Sequence, residues 1–471
     1  MNRTPAHSCL ATALRTLLAL SVLLLSSRPA HSMSPLPAPG VKRVTTTGAG
    51  LQDGSSWANA CNGIDGGLAL ASSGDELWVK QGTYQPSNMN TGFVVSVHVS
   101  IYGAFLGTET SVATRGGLAT ATILEGGTGG TQAPHVVAIS GVGSPGVLID
   151  SVQIQDGNAS SNRSGGGITC TATDLDMKNC VLKSNYADMN GGGLYFVGTG
   201  GSSGIANTLH LVGCEFNGNW TTFADGGAVY GSWVKGDAVN CNFLGNHVGN
   251  NGGAMYLWNM GAANPFGVTD CVFWNNAAYG GSSLGGAVYL GGSSLSSSYG
   301  AAATFVNCTM ADNLIGSCSD GQAIYLTTNA VTNSRVYNCI LALNNAGGCG
   351  TSNPIGEAAA ATVEYTDCFV TAGVNVLHAG TGNLWADPKF RNHALAGGLT
   401  LLAGSDCIDA ADYGRVPADI YDIDGNGNTG EKLPFDFLYQ RRLVDRVEVD
   451  KGHSDSTPGH TYLDMGAYEK P

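Results

Sequence analysis

Asn179-Cys180-Val181-Leu182-Lys183-Ser184-Asn185 is echoed by Gly213-Cys214-Glu215-Phe216-Asn217-Gly218-Asn219 and by Asn240-Cys241-Asn242-Phe243-Leu244-Gly245-Asn246. The phrase returns as Asp270-Cys271-Val272-Phe273-Trp274-Asn275-Asn276, as Asn307-Cys308-Thr309-Met310-Ala311-Asp312-Asn313 and as Asn338-Cys339-Ile340-Leu341-Ala342-Leu343-Asn344. A weaker copy begins at Asp367-Cys368. A second phrase alternates with the first: Gly191 to Tyr195, Gly226 to Tyr230, Gly252 to Tyr256, Gly285 to Tyr289 and Gly321 to Tyr325, mostly Gly-Gly-Ala-x-Tyr. Two interleaved phrases with a shared period of about 31 residues indicate one supersecondary unit repeated along the chain.

The spacing of apolar residues identifies that unit. Before the cysteines, Leu175 and Met177, Leu209 and Leu211, Ala303 and Phe305, and Val363 and Tyr365 alternate as on a strand with one buried face. The next inward positions are the cysteine and the residue two beyond it, so the alternation skips a step and the chain must bend. The residue before each cysteine is Asn, Asp or Gly, the types that tolerate left-handed backbone. The asparagine five residues after the cysteine marks a second corner, where its side chain bonds neighbouring backbone. Each repeat therefore reads as three short strands and three turns. A lone coil cannot bury its inner face, so successive coils must stack. The expected fold is all-β: a single-stranded right-handed parallel β-helix of about ten coils, roughly 50 Å long at ~4.8 Å per rung, with both ends capped. Tandem helical repeats are opposed by the strand alternation and by the scarcity of Lys, Glu and Arg.

This layout assigns the recurring residues. Cys180, Cys214, Cys241, Cys271, Cys308, Cys339 and Cys368 form a buried ladder of free thiols, behaving as small hydrophobes. Asn185, Asn219, Asn246, Asn276, Asn313 and Asn344 form a turn ladder. Cys318 and Cys349 each fall ten residues after a ladder cysteine, in the loops of adjacent coils, and are expected to form a disulfide. Tyr195, Tyr230, Tyr256, Tyr289 and Tyr325 point outward from one sheet as candidate ligand-binding residues for a glycan or a partner surface; cross-strand pairing that only stabilises the sheet is the competing reading.

The chain has 471 residues, of which 12% are charged and 70 are glycine. Its 35 acidic and 21 basic residues give a net charge of −14, without the basic footprint of a nucleic-acid binder. Arg3 and Arg15, the apolar run Leu17–Leu25 and then Ala30-His31-Ser32 read as a signal peptide over 1–32, so the protein is expected to be exported. The run is too short to span a membrane. Of 13 cysteines, Cys9 falls in this leader and twelve remain. Residues 33–40 are expected to be a flexible lead-in, 41–375 the β-helix with its N-terminal cap, and 376–471 the last coil or coils and a C-terminal cap.

These phrases resemble the repeats of bacterial right-handed β-helix proteins, including polymorphic outer-membrane proteins. The opening Asp53-Gly54-Ser55-Ser56-Trp57-Ala58-Asn59-Ala60, then Gly74 to Val79, Gly82 to Tyr84 and Tyr102 to Glu109, is similar to the start of choice-of-anchor Q domain proteins. Asp387 to Phe390, Ser405 to Ala410 and Asp464 to Glu469 match the end of that family. The resemblance covers residues 41–469 and implies the fold and export, with almost nothing about activity. The sequence ends two residues beyond Glu469, so neither a following anchor nor an outer-membrane barrel is expected.

Many right-handed β-helices cleave acidic polysaccharides, which leaves an enzyme as the alternative. A lyase needs a base and a cation; between residues 164 and 370 the bases are Lys178, Lys183, Lys235 and Arg335, none of them beside a recurring acidic cluster. A hydrolase needs two carboxylates across the glycosidic bond. Asp188, Asp225 and Asp320 could line one edge, but their position before the third strand fits turn capping better. In the acidic C-terminal region, Asp422, Asp424, Asn426 and Asn428 match the early positions of a Ca²⁺ loop around Gly427, whereas position twelve is Leu433 rather than Glu. The rival reading has Asp436 or Asp464 pairing Arg441 or Arg442 to cap the rod. The balance favours a secreted or surface-associated, non-enzymatic protein that binds a polysaccharide or cell-surface component in the manner of an adhesin, with a polysaccharide lyase or glycoside hydrolase as the alternative.

Overall fold

Among the described residues, inward apolar residues at every second position build 37 strands, and these lie in parallel sheets of 19, 11 and 7 strands. The computed structural model describes residues 40–469 except 201–205, 259–265, 293–301, 317–320, 328–333, 347–352, 358–362, 367–368, 372–382, 437, 439, 441 and 443–462. The expected leader, Asp320, Cys318, Cys349 and Cys368 lie outside the described residues, and so does the proposed disulfide. The eleven strands of the second sheet set the number of rungs near the expected ten. The fold is a right-handed parallel β-helix, the hand that twisted parallel strands require of their crossovers. Among the described residues no helix is long and apolar enough to cross a membrane.

A coil has four strands rather than the expected three. Leu194–Val197 and Asn207–Val212 belong to the large sheet, Glu215–Asn217 to the second and Trp220–Thr221 to the third. The extra strand is two residues long and directly follows the ladder asparagine, too short to show alternation in the sequence. The expected corner before the cysteine is observed: Asn179, Gly213, Asn240, Asp270, Asn307 and Asn338 all have φ between 51° and 62°. Two further left-handed corners recur in each coil. One precedes the ladder asparagine, as at Ser184, Gly218 and Asn275, and the other is the first glycine of the Gly-Gly phrase, as at Gly226 and Gly252.

The interior is made of stacks. Cys180, Cys214, Cys241, Cys271 and Cys308 are free thiols, and they and Cys339 are each at most 1% exposed. Parallel strands aim these sulfurs alike, so they hydrogen-bond to backbone instead of pairing: Cys180 Sγ donates to Ile149 O at 3.3 Å, and Cys241 N donates to Cys271 Sγ at 3.4 Å. Burial pushes the Cys180, Cys214 and Cys271 thiols well above their usual range. Beside them Phe216, Phe243 and Phe273 stack with centroids 5.1 and 4.6 Å apart. At the next corner the asparagines form a hydrogen-bonded ladder. Asn185 Nδ2 donates to Asn219 Oδ1 at 3.0 Å, and the pattern repeats through Asn246, Asn276 and Asn313 to Asn344.

At the N-terminal end the helix Gly63–Leu70 packs Ile64 and Gly67 on the first coils. A Cβ at Gly67 would lie 2.9 Å from Val44 Cγ2, so the helix can sit this close only with glycine there. The opening motif serves this end. Trp57 Nε1 donates to Glu109 O at 2.9 Å, and the Glu109 carboxylate accepts from the Leu106, Gly107 and Thr108 amides.

At the C-terminal end Leu384–Ala386 adds a last strand to the second sheet, and described residues beyond it pack along the flank of earlier coils. The reason is a strip of outward apolar residues. Val272 and Ala311 pack against Leu399, Ala467 and Tyr468; Ile340 and Ala342 pack against Leu401, Cys407, Ile408 and Met465; Val239 packs against Val416, Leu433 and Leu463. A buried ion network pins the segment. Arg442 reaches Asp270 Oδ1 at 2.5 Å and Glu469 Oε1 at 3.1 Å, rather than the Asp436 or Asp464 of the rival reading, whose other candidate Arg441 lies outside the described residues.

Candidate functional site

The second phrase of the repeat places Tyr195, Tyr230, Tyr256, Tyr289 and Tyr325 in direct register on adjacent strands of the large sheet. Their neighbours Leu194, Val229, Met255, Val288 and Ile324 face the core, so the tyrosines face outward, as alternation requires. The rings form one continuous stack, with centroids 5.3, 5.2, 4.7 and 5.8 Å apart and interplanar angles from 4° to 18°. Each inner ring therefore spends its faces on its neighbours, and what remains toward solvent is an edge. Tyr256 and Tyr289 are only 7% and 8% exposed, with Trp258 stacked against Tyr256 at 5.9 Å. Burial pushes the Tyr230 and Tyr289 phenols up to about 12. Stacking a sugar on these faces, as the sequence suggested, would require opening the stack.

The acidic turn is assembled differently from the sequence pattern. Oxygens of Asp419, Asp424 and Glu431 lie within 4.8 Å of one another, whereas Asp422 accepts the Gly427 amide at 2.9 Å. The Asn426 amide bridges Asp424 Oδ2 at 2.8 Å and Glu431 Oε1 at 2.5 Å, and the Asn428 amide reaches Glu431 Oε2 at 3.4 Å. Burial and the neighbouring carboxylates push Asp419 upward, against hydrogen bonds from the Ile423 amide. The oxygen-rich donor set suits a hard cation such as Ca²⁺. Asp419 and Glu431 are thus in the cluster where the pattern had placed Asp422 and Asn428.

Asp188 and Asp225 cap turns. Asp188 accepts from the Asn162 amide at 2.8 Å and from the Tyr186 hydroxyl, and Asp225 accepts from Asn250 Nδ2 at 2.8 Å and Asn251 N at 3.0 Å. A titratable row that sequence reasoning missed lies on the other half of the large sheet. Asp176, His210 and Asp237 are in register on three successive coils. His210 Nδ1 is 2.8 Å from Asp237 Oδ1, and Tyr421, arriving from the C-terminal segment, donates to Asp237 Oδ1 with its hydroxyl 2.6 Å from His210 Nδ1. The Asp237 hydrogen bond raises the His210 pKa, while burial raises that of Asp176. The signal was present in the sequence: each of the three is the fourth residue before its ladder cysteine. It was overlooked because outward positions there follow no shared residue type.

No family model matches the chain, and no curated protein matches it. Similar solved structures include "Crystal structure of pectate lyase Pel9A", 12% identical, covering 93% of this chain and 98% of that one with a TM-score of 0.43. The complex of XylC with xylose is 10% identical, covering 84% of this chain and 67% of that one with a TM-score of 0.35. The PL6 family alginate lyase AlyGC is 12% identical, covering 76% of this chain and 55% of that one with a TM-score of 0.27.

Proposed function

We propose that this protein is an exported, non-enzymatic β-helix of the choice-of-anchor Q type that binds a polysaccharide or another cell-surface component along its side. The tyrosine ladder carries the reading. It is a row in register across five coils, held by ring stacking at spacings of 4.7 to 5.8 Å, and an extended polymer would meet the outward ring edges. A row so ordered loses little side-chain entropy on binding. The test is retention of the purified protein on immobilised neutral and uronate-rich polysaccharides, with Tyr230→Phe and Tyr195→Phe as variants that keep the stack and remove hydroxyls. Retention of the wild type and weaker retention of the variants is expected; a wild type that binds no glycan and no cell surface overturns the reading.

A second reading is supported by the Asp176–His210–Asp237 row. Two carboxylates two rungs apart are separated by about 9.6 Å at the backbone, near the ~6.5–9.5 Å between the carboxyl groups of inverting glycosidases. Asp176, with its raised pKa, would protonate the leaving oxygen, and Asp237 would activate water. New reducing ends that vanish in Asp176→Asn and Asp237→Asn would establish this hydrolase; no product from a polysaccharide panel would eliminate it.

A further inference from the structure

The exposed aromatic side chains of the described residues gather at one corner. Trp220, Phe223 and Tyr279 are 38%, 66% and 58% exposed, and they are the aromatic residues among the exposed large hydrophobics. Tyr186, Trp220 and His247 occupy equivalent positions on successive rungs of the narrow third sheet, each directly after its ladder asparagine. Tyr186 and Trp220 have centroids 4.2 Å apart at a 38° tilt, and Trp220 stacks on His247 at 5.6 Å. Tyr279 meets His247 edge-on at 5.8 Å, and Phe223 is held by its amide bonding to Asp188 O at 3.0 Å. Unlike the tyrosine ladder, this group is splayed. The tilt at Trp220 and the edge-on Tyr279 turn ring surface toward solvent.

We propose that this corner is a binding site for neutral polysaccharide, with Trp220 and Tyr279 as the stacking residues. The proposal rests on the glycan-binding reading, adds to the tyrosine ladder a second contact on a different sheet, and names the ligand class. Charge selects the class. Ring contacts and hydrogen bonds tie these rings to His247, which burial holds below its usual pKa, and to Asp188, whose carboxylate is held low by the Tyr186 hydroxyl and the Asn162 amide. A chain of uronates would meet this anion in a protein already at −14. The C–H face of a neutral pyranose meets apolar ring surface instead, and its hydroxyls find Asp188 as an acceptor at the rim. Exposed apolar surface rimmed by polar groups is what ligand-binding surfaces present, and aromatic rings supply it with a defined face.

Affinity electrophoresis of the full exported chain against neutral and uronate-rich polysaccharides tests this. Binding to neutral chains is expected to persist from low to high salt, since no ion pair is involved. Trp220→Ala is expected to weaken it about tenfold and Tyr279→Ala several-fold, from the stacking lost. Both residues are exposed, so folding is checked by an unchanged melting temperature; Trp220→Phe, which keeps a ring, should retain most of the binding. Wild-type binding that Trp220→Ala and Tyr279→Ala leave intact, or that is confined to uronate-rich chains, overturns this site while glycan binding stands. Loss confined to the Tyr230→Phe ladder variant has the same meaning. A wild type that binds no glycan removes both.

Discussion

Replacing Asn246 by alanine removes one rung of the asparagine ladder at its middle. The side chain is fully buried and takes part in four hydrogen bonds. Its Nδ2 donates to Phe216 O at 2.9 Å and to Asn276 Oδ1 at 3.0 Å; its Oδ1 accepts from Asn219 N and Nδ2, each at 3.0 Å. At about 1 kcal/mol net for each bond, the direct loss is about 4 kcal/mol, and the stranded Asn219 amide keeps the cost from falling much below that. The control is Asn217→Ala one coil earlier, whose single bond to Glu215 is only half-buried and should cost less than ~0.5 kcal/mol. Because a stacked solenoid loosens locally, urea unfolding is best paired with amide hydrogen exchange. The midpoint should fall, and protection at the Asn219 amide should drop first. A loss below about 1 kcal/mol, with Asn219 still protected, would refute the view that this ladder holds the coils together.

Arg442→Met leaves Asp270 and Glu469 buried without their cation and is expected to cost about 3–5 kcal/mol, with limited proteolysis releasing the C-terminal segment first; an unchanged cleavage pattern counts against the clamp. His210 has its pKa raised by Asp237, so its stabilisation is full below the ordinary histidine pKa and is lost as pH rises through the raised value. The melting-temperature gap between wild type and His210→Gln should therefore shrink toward alkaline pH, and a gap that widens contradicts the assignment. Calcium is expected to raise the melting temperature of the wild type but not of Asp424→Asn, and no shift in the wild type dismisses the cation at the Asp419–Asp424–Glu431 turn.

Much of the core was legible because inward positions repeat. The cysteine, the phenylalanine two beyond it and the asparagine after that each meet their own counterpart one coil away, so one constraint acts on every repeat. The two-residue third sheet was not legible, because a strand that short carries no alternation. The register of the tyrosine ladder was legible, but register only places the rings side by side, and whether they offer faces or edges is decided by the packing around them. Trp220, Tyr186 and His247 escaped notice because outward residues answer to no common packing partner. The apolar strip under the C-terminal segment did leave a trace. Val272, Ala311, Ile340 and Ala342 stand where earlier coils carry Glu215, Asn217 and Lys183, and that loss of polarity marks a covered face.

The sequence alone determined the solenoid, its corners and its inner ladders, since contacts between neighbouring coils join residues about one period apart and so print that period on the chain. The tertiary structure alone decided which outer faces stay open. That choice rests on contacts such as Tyr421 with His210, 211 residues apart, and Arg442 with Asp270, 172 apart. A segment met once, folding back across many coils, imposes no repeat, and its pairings become visible only when the chain has closed on itself.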